Sequence, residues 1–347
     1  MLIIQKYCII NREGQKRRKL MGRLDDVMRD NDIVVSILSE YINEHPRFID
    51  AQMVEDLARE CHVSHHEAFC TLLSAACGLD TVEDPAHRAL ERQYLIPAIR
   101  RLDPTVYEND AYAKTVRFPN VTHGKWELCQ HSYAPYEPFV RTHPVVTREL
   151  REVPQIGYFD VEFPFPAILE NGIEWMTITP NEVETMREPI ERCRGRVLTL
   201  GLGLGYFAFH ASEKPEVKRV VVVERSRDVI EIFKTYLLPQ FPHGDKIEIV
   251  EADAFAYMEE KMPRGKFDYV FSDLWHDASD GLEMYRKLKK YEILSPRTRF
   301  DYWIEPSLLS LLRHIVYRRI TDEKEPLPLG NLSPETVLTD VFLKTLQ

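Results

Sequence analysis

The chain has 347 residues, of which 44% are hydrophobic and 29% are charged, a composition typical of a globular protein of two or three domains. Its formal net charge of −10 argues against a nucleic acid held through its phosphates and favours a small-molecule substrate. No apolar run is long enough to span a bilayer and no signal peptide is recognisable, so we expect a cytoplasmic protein without a membrane partner.

The first part of the chain is predicted to be helical. We assign residues 1–20 to a disordered extension and residues 21–105 to an α-helical domain, where apolar side chains recur every three to four residues. Asp50 is the predicted N-cap of one helix, and Ser64 and Glu67 form a predicted capping box for the next. Such a helix pair could read DNA, but the second helix begins with histidines and lacks a row of Arg or Asn. These histidines do not share one helix face, so we predict no metal site.

Residues 106–178 are predicted to form a small β-rich cap. Helical periodicity fades there, and apolar and polar residues alternate over 125–131 and 157–163, which predicts two strands. The next segment, 179–347, is predicted to be the ligand-binding domain. It opens with Thr179 and Glu182, which form a T-x-x-E capping box at the start of a helix.

Alternating glycines follow the first predicted strand of this last domain. The apolar segment 196–200 leads directly into Gly201, Gly203 and Gly205. Glycine permits backbone angles closed to other residues, and it removes the Cβ atom that would hold a ligand away from the main chain. The helix that follows offers unpaired N–H groups at its start. The segment therefore predicts a site for a nucleotide-like ligand.

Each of the next three predicted strands ends in a carboxylate. Glu224 ends the strand over 218–224, while Asp253 and Asp273 end the strands over 246–253 and 267–273. A carboxylate about 20 residues after the glycines can accept hydrogen bonds from both ribose hydroxyls. Ligands of open α/β sheets bind at the carboxyl ends of the strands, so we expect these acids to converge.

With these motifs, residues 179–310 resemble the class I S-adenosylmethionine-dependent methyltransferase fold, in its spermidine synthase-like branch. The resemblance implies an α/β, Rossmann-like domain with a parallel-rich sheet and helices on both faces. It also implies that S-adenosylmethionine is the cofactor. The residues that would bind it are Gly201, Gly203, Gly205, Glu224, Asp253, Ala254 and Asp273. An NAD-linked Rossmann domain is the competing interpretation, but Tyr206 stands where the G-x-G-x-x-G pattern needs glycine.

The predicted function is methyl transfer from S-adenosylmethionine to a small molecule, with Asp273, His276 and Asp277 as candidate catalytic residues after the fourth strand. An aminopropyltransferase is the first alternative. That family carries an acid in the glycine loop and a D-x-x-D pattern after strand four, whereas this loop has leucines and His276 lies three residues beyond Asp273. A non-catalytic cofactor-binding module is the second alternative. The resemblance further suggests a homodimer, and substrate contacts from His131, Tyr133 and Tyr136 in the cap.

Overall fold

The computed structural model describes residues 2–322, 327–330 and 332–346, with side chains from residue 21 onward. Its contacts divide the chain into two compact units. The first consists of Met1–Ile99, Pro144–Gln155 and Leu309–Leu346, and the second of Arg100–His143 and Ile156–Leu308. The side chains of residues 1–20, where an extension is predicted, lie outside the described part of the structure. The extension stays a prediction, as do the predicted domain boundaries.

Helices make up the first hundred residues. Asp50 caps the second helix by accepting a hydrogen bond from the N–H of Met53, and Ser64 and Glu67 form the predicted capping box of the third, so both predictions are confirmed. The helices are α1 Leu2–Glu44, α2 Ala51–Cys61, α3 His65–Ala76, α4 Pro85–Leu90, a π-helical turn Glu91–Leu95 and α5 Ile96–Ala98.

The segment from 99 to 177 carries seven strands and two short helices. These elements are β1 Ile99–Arg101, α6 Pro104–Glu108, α7 Ala111–Thr115, β2 Val121–His123, β3 Trp126–Tyr133, β4 Phe139–Val146, β5 Glu152–Tyr158, β6 Phe163–Glu170 and β7 Ile173–Thr177. Strands β2, β3, β6 and β7 form an antiparallel sheet in that order, and β1, β5 and β4 form a second sheet. The strand predicted over 125–131 is present, but the prediction of a single strand over 157–163 is wrong. Those residues connect the end of β5 to the start of β6.

A five-stranded parallel sheet organises the rest of the second unit. The elements that build it are α8 Pro180–Arg192, β8 Gly195–Leu200, α9 Tyr206–Glu213, β9 Val217–Glu224, α10 Arg227–Ile232, β10 Ile247–Glu251, α11 Ala254–Glu260, α12 Met262–Gly265, β11 Tyr269–Ser272, α13 Ala278–Lys289 and β12 Arg299–Tyr302. The strand order is β10-β9-β8-β11-β12, and every pair is parallel. The predicted α/β sheet is therefore confirmed. The order reverses between β8 and β11, which is where open parallel sheets bind ligands.

The remaining helices follow the parallel sheet in the chain. They are α14 Glu305–Thr321, α15 Pro334–Val337 and α16 Asp340–Leu343. Shorter π and 3₁₀ turns lie at Phe233–Leu237, Leu238–Gln240, Gly244–Lys246, Glu292–Leu294 and Lys344–Leu346. Across the described residues, no helix combines the length and apolarity needed to cross a bilayer.

The start of α8 departs from the sequence prediction. Pro180 occupies the first helical position as expected, but the side chain of the N-cap Thr179 makes no capping hydrogen bond. Glu182 does not complete a capping box, and its side chain lines the cleft described below. The T-x-x-E pattern therefore predicts the start of the helix correctly but not the position of the Glu182 side chain.

The first unit contains a buried ionic cluster around Arg313 of α14. The Arg313 side chain is fully buried and forms ion pairs with Glu152 and Asp340. Its Nε atom donates to the carbonyl of Leu338 at 2.8 Å. His314 pairs with Glu152 as well, at 3.4 Å. These contacts join three stretches of chain that are far apart in sequence.

Candidate active site

A cleft of about 630 Å³ lies at the carboxyl ends of β8, β9 and β11. Its walls are the glycine loop after β8, the ends of β9 and β11, the first turn of α8 and strand β7. The volume is within the usual range for sites that enclose a small molecule. The cleft is therefore the candidate active site, at the position that the sheet topology predicts.

Close contacts within the protein determine the shape of the glycine loop. Gly201 has a φ of +97°, and a Cβ atom there would collide with the carbonyl oxygen of Asp273. Gly203 has a φ of +54°, and a Cβ atom there would meet the sulfur of Met176 in β7. Only glycine combines such backbone angles with this proximity. The loop thereby lies against both β7 and the end of β11.

Glu224 lies at the end of β9 beneath the glycine loop. Its two carboxyl oxygens accept hydrogen bonds from the N–H groups of Leu202, at 3.3 Å, and Ser226, at 2.7 Å. Each carboxylate oxygen has a second lone pair, so the group can still accept two hydroxyl hydrogens. This geometry is compatible with the predicted ribose contact and explains how the side chain is held in position.

Asp253 and Ala254 also line the cleft, at the end of β10. Asp253 is the N-cap of α11, and its Oδ1 atom accepts a hydrogen bond from the N–H of Ala256 at 2.9 Å. The carboxylate therefore has a structural role independent of any ligand. Its predicted contact with adenine stays a prediction.

Asp273 and Glu182 form the chemically most unusual pair in the cleft. Asp273 follows β11, Glu182 lies in the first turn of α8, and both side chains line the same cleft. Burial raises the pKa of Asp273 to about 7. Burial and the neighbouring charge of Asp273 raise the pKa of Glu182 well above its usual range. Since two close carboxylates resist simultaneous ionisation, the pair favours either a retained proton or a bound cation.

The other two predicted catalytic residues differ in position. His276 lines the cleft, where its ring lies 4.7 Å from the ring of Trp175 and its Nδ1 atom is 3.1 Å from Asp280. Asp277 is exposed and serves as the N-cap of α13, in a capping box with Asp280. The structure thus brings Asp273 and His276 to the cleft, whereas Asp277 is not among the residues that line it.

Acidic side chains dominate the cleft. Among the described residues, seven carboxylates line it, against one lysine and one arginine. The lysine, Lys125, already forms an ion pair with Glu170. The acidic residues are Glu170, Glu174, Glu182, Glu224, Asp253, Asp273 and Asp280. A cleft with this charge balance favours a positively charged ligand.

Sequence reasoning missed Glu174, Trp175 and Glu182 as cleft residues. Glu174 and Trp175 belong to β7, a strand distant in sequence from the glycine loop, and Glu182 matched a helix-capping pattern. The substrate contacts predicted for His131, Tyr133 and Tyr136 stay predictions. Tyr133 stacks on Phe139 with ring centroids 4.1 Å apart, and Tyr136 is buried.

The raised pKa of Asp273 predicts a specific pH dependence of stability. Because the folded protein holds this proton more tightly than the unfolded chain, the carboxyl stabilises the fold below about pH 4, and this contribution is lost as the pH rises to about 7. We expect Asp273→Asn to become more stable than the wild type by about 1–3 kcal/mol at pH 7, with a smaller difference near pH 4. Urea unfolding at both pH values measures this difference, and an equal difference at the two values would contradict it.

Comparison with known proteins gives partial matches. Polyamine aminopropyltransferases from Pyrobaculum islandicum and Pyrobaculum calidifontis are 40% and 39% identical to this chain over 83 residues. Each alignment covers 22% of this chain and 28% of the relative, so the chain spans little more than a quarter of the relatives' length. The crystal structure of spermidine synthase from Thermotoga maritima matches with a TM-score of 0.26 and 18% identity, over 36% of this chain and 48% of that one. No family model matches.

These relatives contradict the predicted activity. The chain was expected to be a methyltransferase that uses S-adenosylmethionine, but the matched relatives are named for aminopropyl transfer, so both the predicted enzyme class and the predicted cofactor are wrong. The prediction of methyl transfer rested on the absence of a loop acid and of a D-x-x-D pattern, and neither absence excludes similarity to these relatives. Over the matched segment, this chain is similar to polyamine aminopropyltransferases.

Proposed function

We propose that the chain is an aminopropyltransferase that moves the aminopropyl group of decarboxylated S-adenosylmethionine to an amine. The observation that carries the proposal is the acidic cleft at the carboxyl ends of β8 and β11, where seven carboxylates face two cationic side chains among the described residues. Donor and acceptor are both cationic in aminopropyl transfer. The printed names of the relatives support the same reaction.

The charge of the cleft favours the decarboxylated donor over S-adenosylmethionine. The two molecules share the adenosine and the sulfonium, but S-adenosylmethionine carries an additional carboxylate on its side chain. Near Glu182 and Asp273 that carboxylate would be repelled, whereas the ammonium and sulfonium of the decarboxylated donor would be attracted. The glycine loop and Glu224 would hold the adenosine part.

The reaction is a displacement at carbon. The acceptor nitrogen forms a bond to the aminopropyl CH₂ next to sulfur, the C–S bond breaks, and its electron pair remains on sulfur as the neutral thioether 5′-methylthioadenosine. The nucleophile must be a neutral amine, so a proton has to leave the acceptor nitrogen. Asp273 is the proposed base, since a group with a pKa of about 7 can take up a proton near neutral pH.

Thermal unfolding and product formation test the proposal together. We expect decarboxylated S-adenosylmethionine, at about 100 times its dissociation constant, to stabilise the protein by about 2.7 kcal/mol and S-adenosylmethionine to stabilise it less. Glu224→Ala should weaken donor binding by about 10- to 100-fold through the loss of the ribose contact. With a panel of diamines and triamines, 5′-methylthioadenosine should form in amounts equal to the aminopropylated amine.

The alternatives give different results. Donor binding without product from any amine would support a non-catalytic binding module. Absence of binding to the decarboxylated donor would contradict the proposed function.

A further inference from the structure

We infer that Glu182 binds the terminal ammonium of the donor's aminopropyl arm and so supplies the carboxylate that the glycine loop lacks. The inference rests on the proposed function and goes beyond it. The helix α8 provides this carboxylate, whereas no acid lies between the glycines, where Leu202 and Leu204 are both buried. A chain without an acidic glycine loop can thus still present a carboxylate to the donor's ammonium, while Asp273 faces the acceptor amine.

The position of Glu182 carries the inference. Besides the main cleft, Glu182 and Asp273 both line a small pocket directly beside the glycine loop, whose other walls include Gly203, Gly205 and Met186. The acids Glu170, Glu174 and Asp280 line the main cleft only. Glu182 and Asp273 are therefore the acidic side chains shared by both spaces. A donor whose sulfonium lies at the loop would extend its three-carbon arm toward this pair.

The hydrogen bonding of the Glu182 carboxyl is compatible with a role in ligand binding. Within the described residues, its carboxyl group accepts no hydrogen bond and has no ion-pair partner, although the N-cap N–H three residues earlier is the usual partner of an acid at this helix position. A partly buried carboxyl that lacks a protein donor is suited to a ligand that brings one. An ammonium group has three donors and a positive charge, so it would satisfy the carboxyl of Glu182 and leave Asp273 to take the proton of the acceptor amine.

Within the described part of the chain, Asp273 supplies the only neighbouring charge that shifts the pKa of Glu182, and no cation does so. Tyr133 of β3 is close enough for the charge of Glu182 to help raise the pKa of its phenol, which burial already raises. Glu174 of β7 contributes in the same direction to Tyr133. His276 at the other side of the cleft is held by Asp280. A protonated amine is therefore the partner that this environment lacks.

The test compares two ligands on two variants. The ligands are decarboxylated S-adenosylmethionine and 5′-dimethylsulfonioadenosine, which keeps the adenosine and the sulfonium but has no amine. The variants are Glu182→Gln, which removes the charge with little change in shape, and Glu184→Gln, which removes a carboxylate from the same helix outside the cleft, where it pairs with Arg187. Dissociation constants are measured by isothermal titration calorimetry.

We expect Glu182→Gln to weaken donor binding by about 10- to 100-fold and to change binding of the sulfonium analogue by less than about threefold. Glu184→Gln should bind both ligands like the wild type. Undiminished donor affinity in Glu182→Gln, with turnover by the wild type intact, would overturn this inference alone. Equal weakening of both ligands would also overturn it, because the lost interaction would not involve the ammonium. Failure of the wild type to bind either ligand would overturn both this inference and the proposed function.

Discussion

Asp273→Asn is expected to lower kcat for aminopropyl transfer by about 100- to 10,000-fold at pH 7, the usual contribution of a general base. Asparagine has nearly the shape of aspartate but cannot accept the proton that leaves the acceptor amine. The adenosine-binding residues of the cleft are unchanged, so 5′-dimethylsulfonioadenosine should bind the variant within about threefold of the wild type. Kinetics under saturating donor and amine measure the effect on kcat.

The pH profile distinguishes a lost base from a damaged site. Without Asp273, the reaction depends on the small fraction of amine that is already neutral in solution. The rate of Asp273→Asn should therefore rise about tenfold per pH unit below the pKa of the amine, whereas the wild-type rate should level off above about pH 7. A variant rate that stays low and independent of pH would contradict the assignment of Asp273 as the base.

Two variants on α13 serve as comparisons. Glu283→Gln removes an exposed carboxylate that pairs with Arg286 and should leave kcat unchanged. Asp277→Asn keeps a side-chain oxygen at the helix cap outside the cleft, so we expect little change in stability and near-normal kcat. A large loss of kcat in Asp277→Asn alone would instead favour the sequence-based hypothesis that Asp277 is catalytic.

The parallel sheet was predictable because its strands carry strong local signals. Val220–Val223 form a continuous apolar run that is buried in the structure, and the strand ends at the expected Glu224. Asp253 and Asp273 lie just beyond the ends of β10 and β11. The glycines after β8 could be located for the same reason. The local sequence pattern was sufficient for features whose residues are close together in the sequence.

The cleft could not be predicted in full because its walls come from distant segments. Trp175 on β7 contacts His276 after β11, a pair separated by a hundred residues. Glu182 shows a different limit. Its T-x-x-E spacing is typical of a capping box, and only the direction of the side chain in three dimensions reveals that the carboxyl lies in the cleft. The sequence pattern of acids in the glycine loop and at the D-x-x-D position does not include Glu182, which lies in a different helix.

The ionic cluster of the first unit predicts the largest effect on stability. Arg313→Ala should lower the free energy of unfolding by about 3–5 kcal/mol, because it leaves the buried carboxylate of Glu152 without its cation. The variant also removes the hydrogen bond to Leu338 and the ion pair with Asp340. Urea unfolding followed by circular dichroism measures the loss.

A matched control and a second substitution identify the cause. Arg59→Ala removes an exposed ion pair with Asp56 in the same unit and should cost less than about 1 kcal/mol. Adding Glu152→Gln to Arg313→Ala should recover part of the loss, because the stranded charge is then gone. If the double variant were less stable than Arg313→Ala, lost packing of the arginine side chain, and not an unpaired charge, would explain the effect.

The contribution of Arg313 to stability should also depend on pH. Burial opposes ionisation of Glu152, but His314 and Arg313 outweigh it and lower the pKa of the carboxyl. The stability that Arg313 provides should therefore decrease as the pH falls through the range where Glu152 becomes protonated.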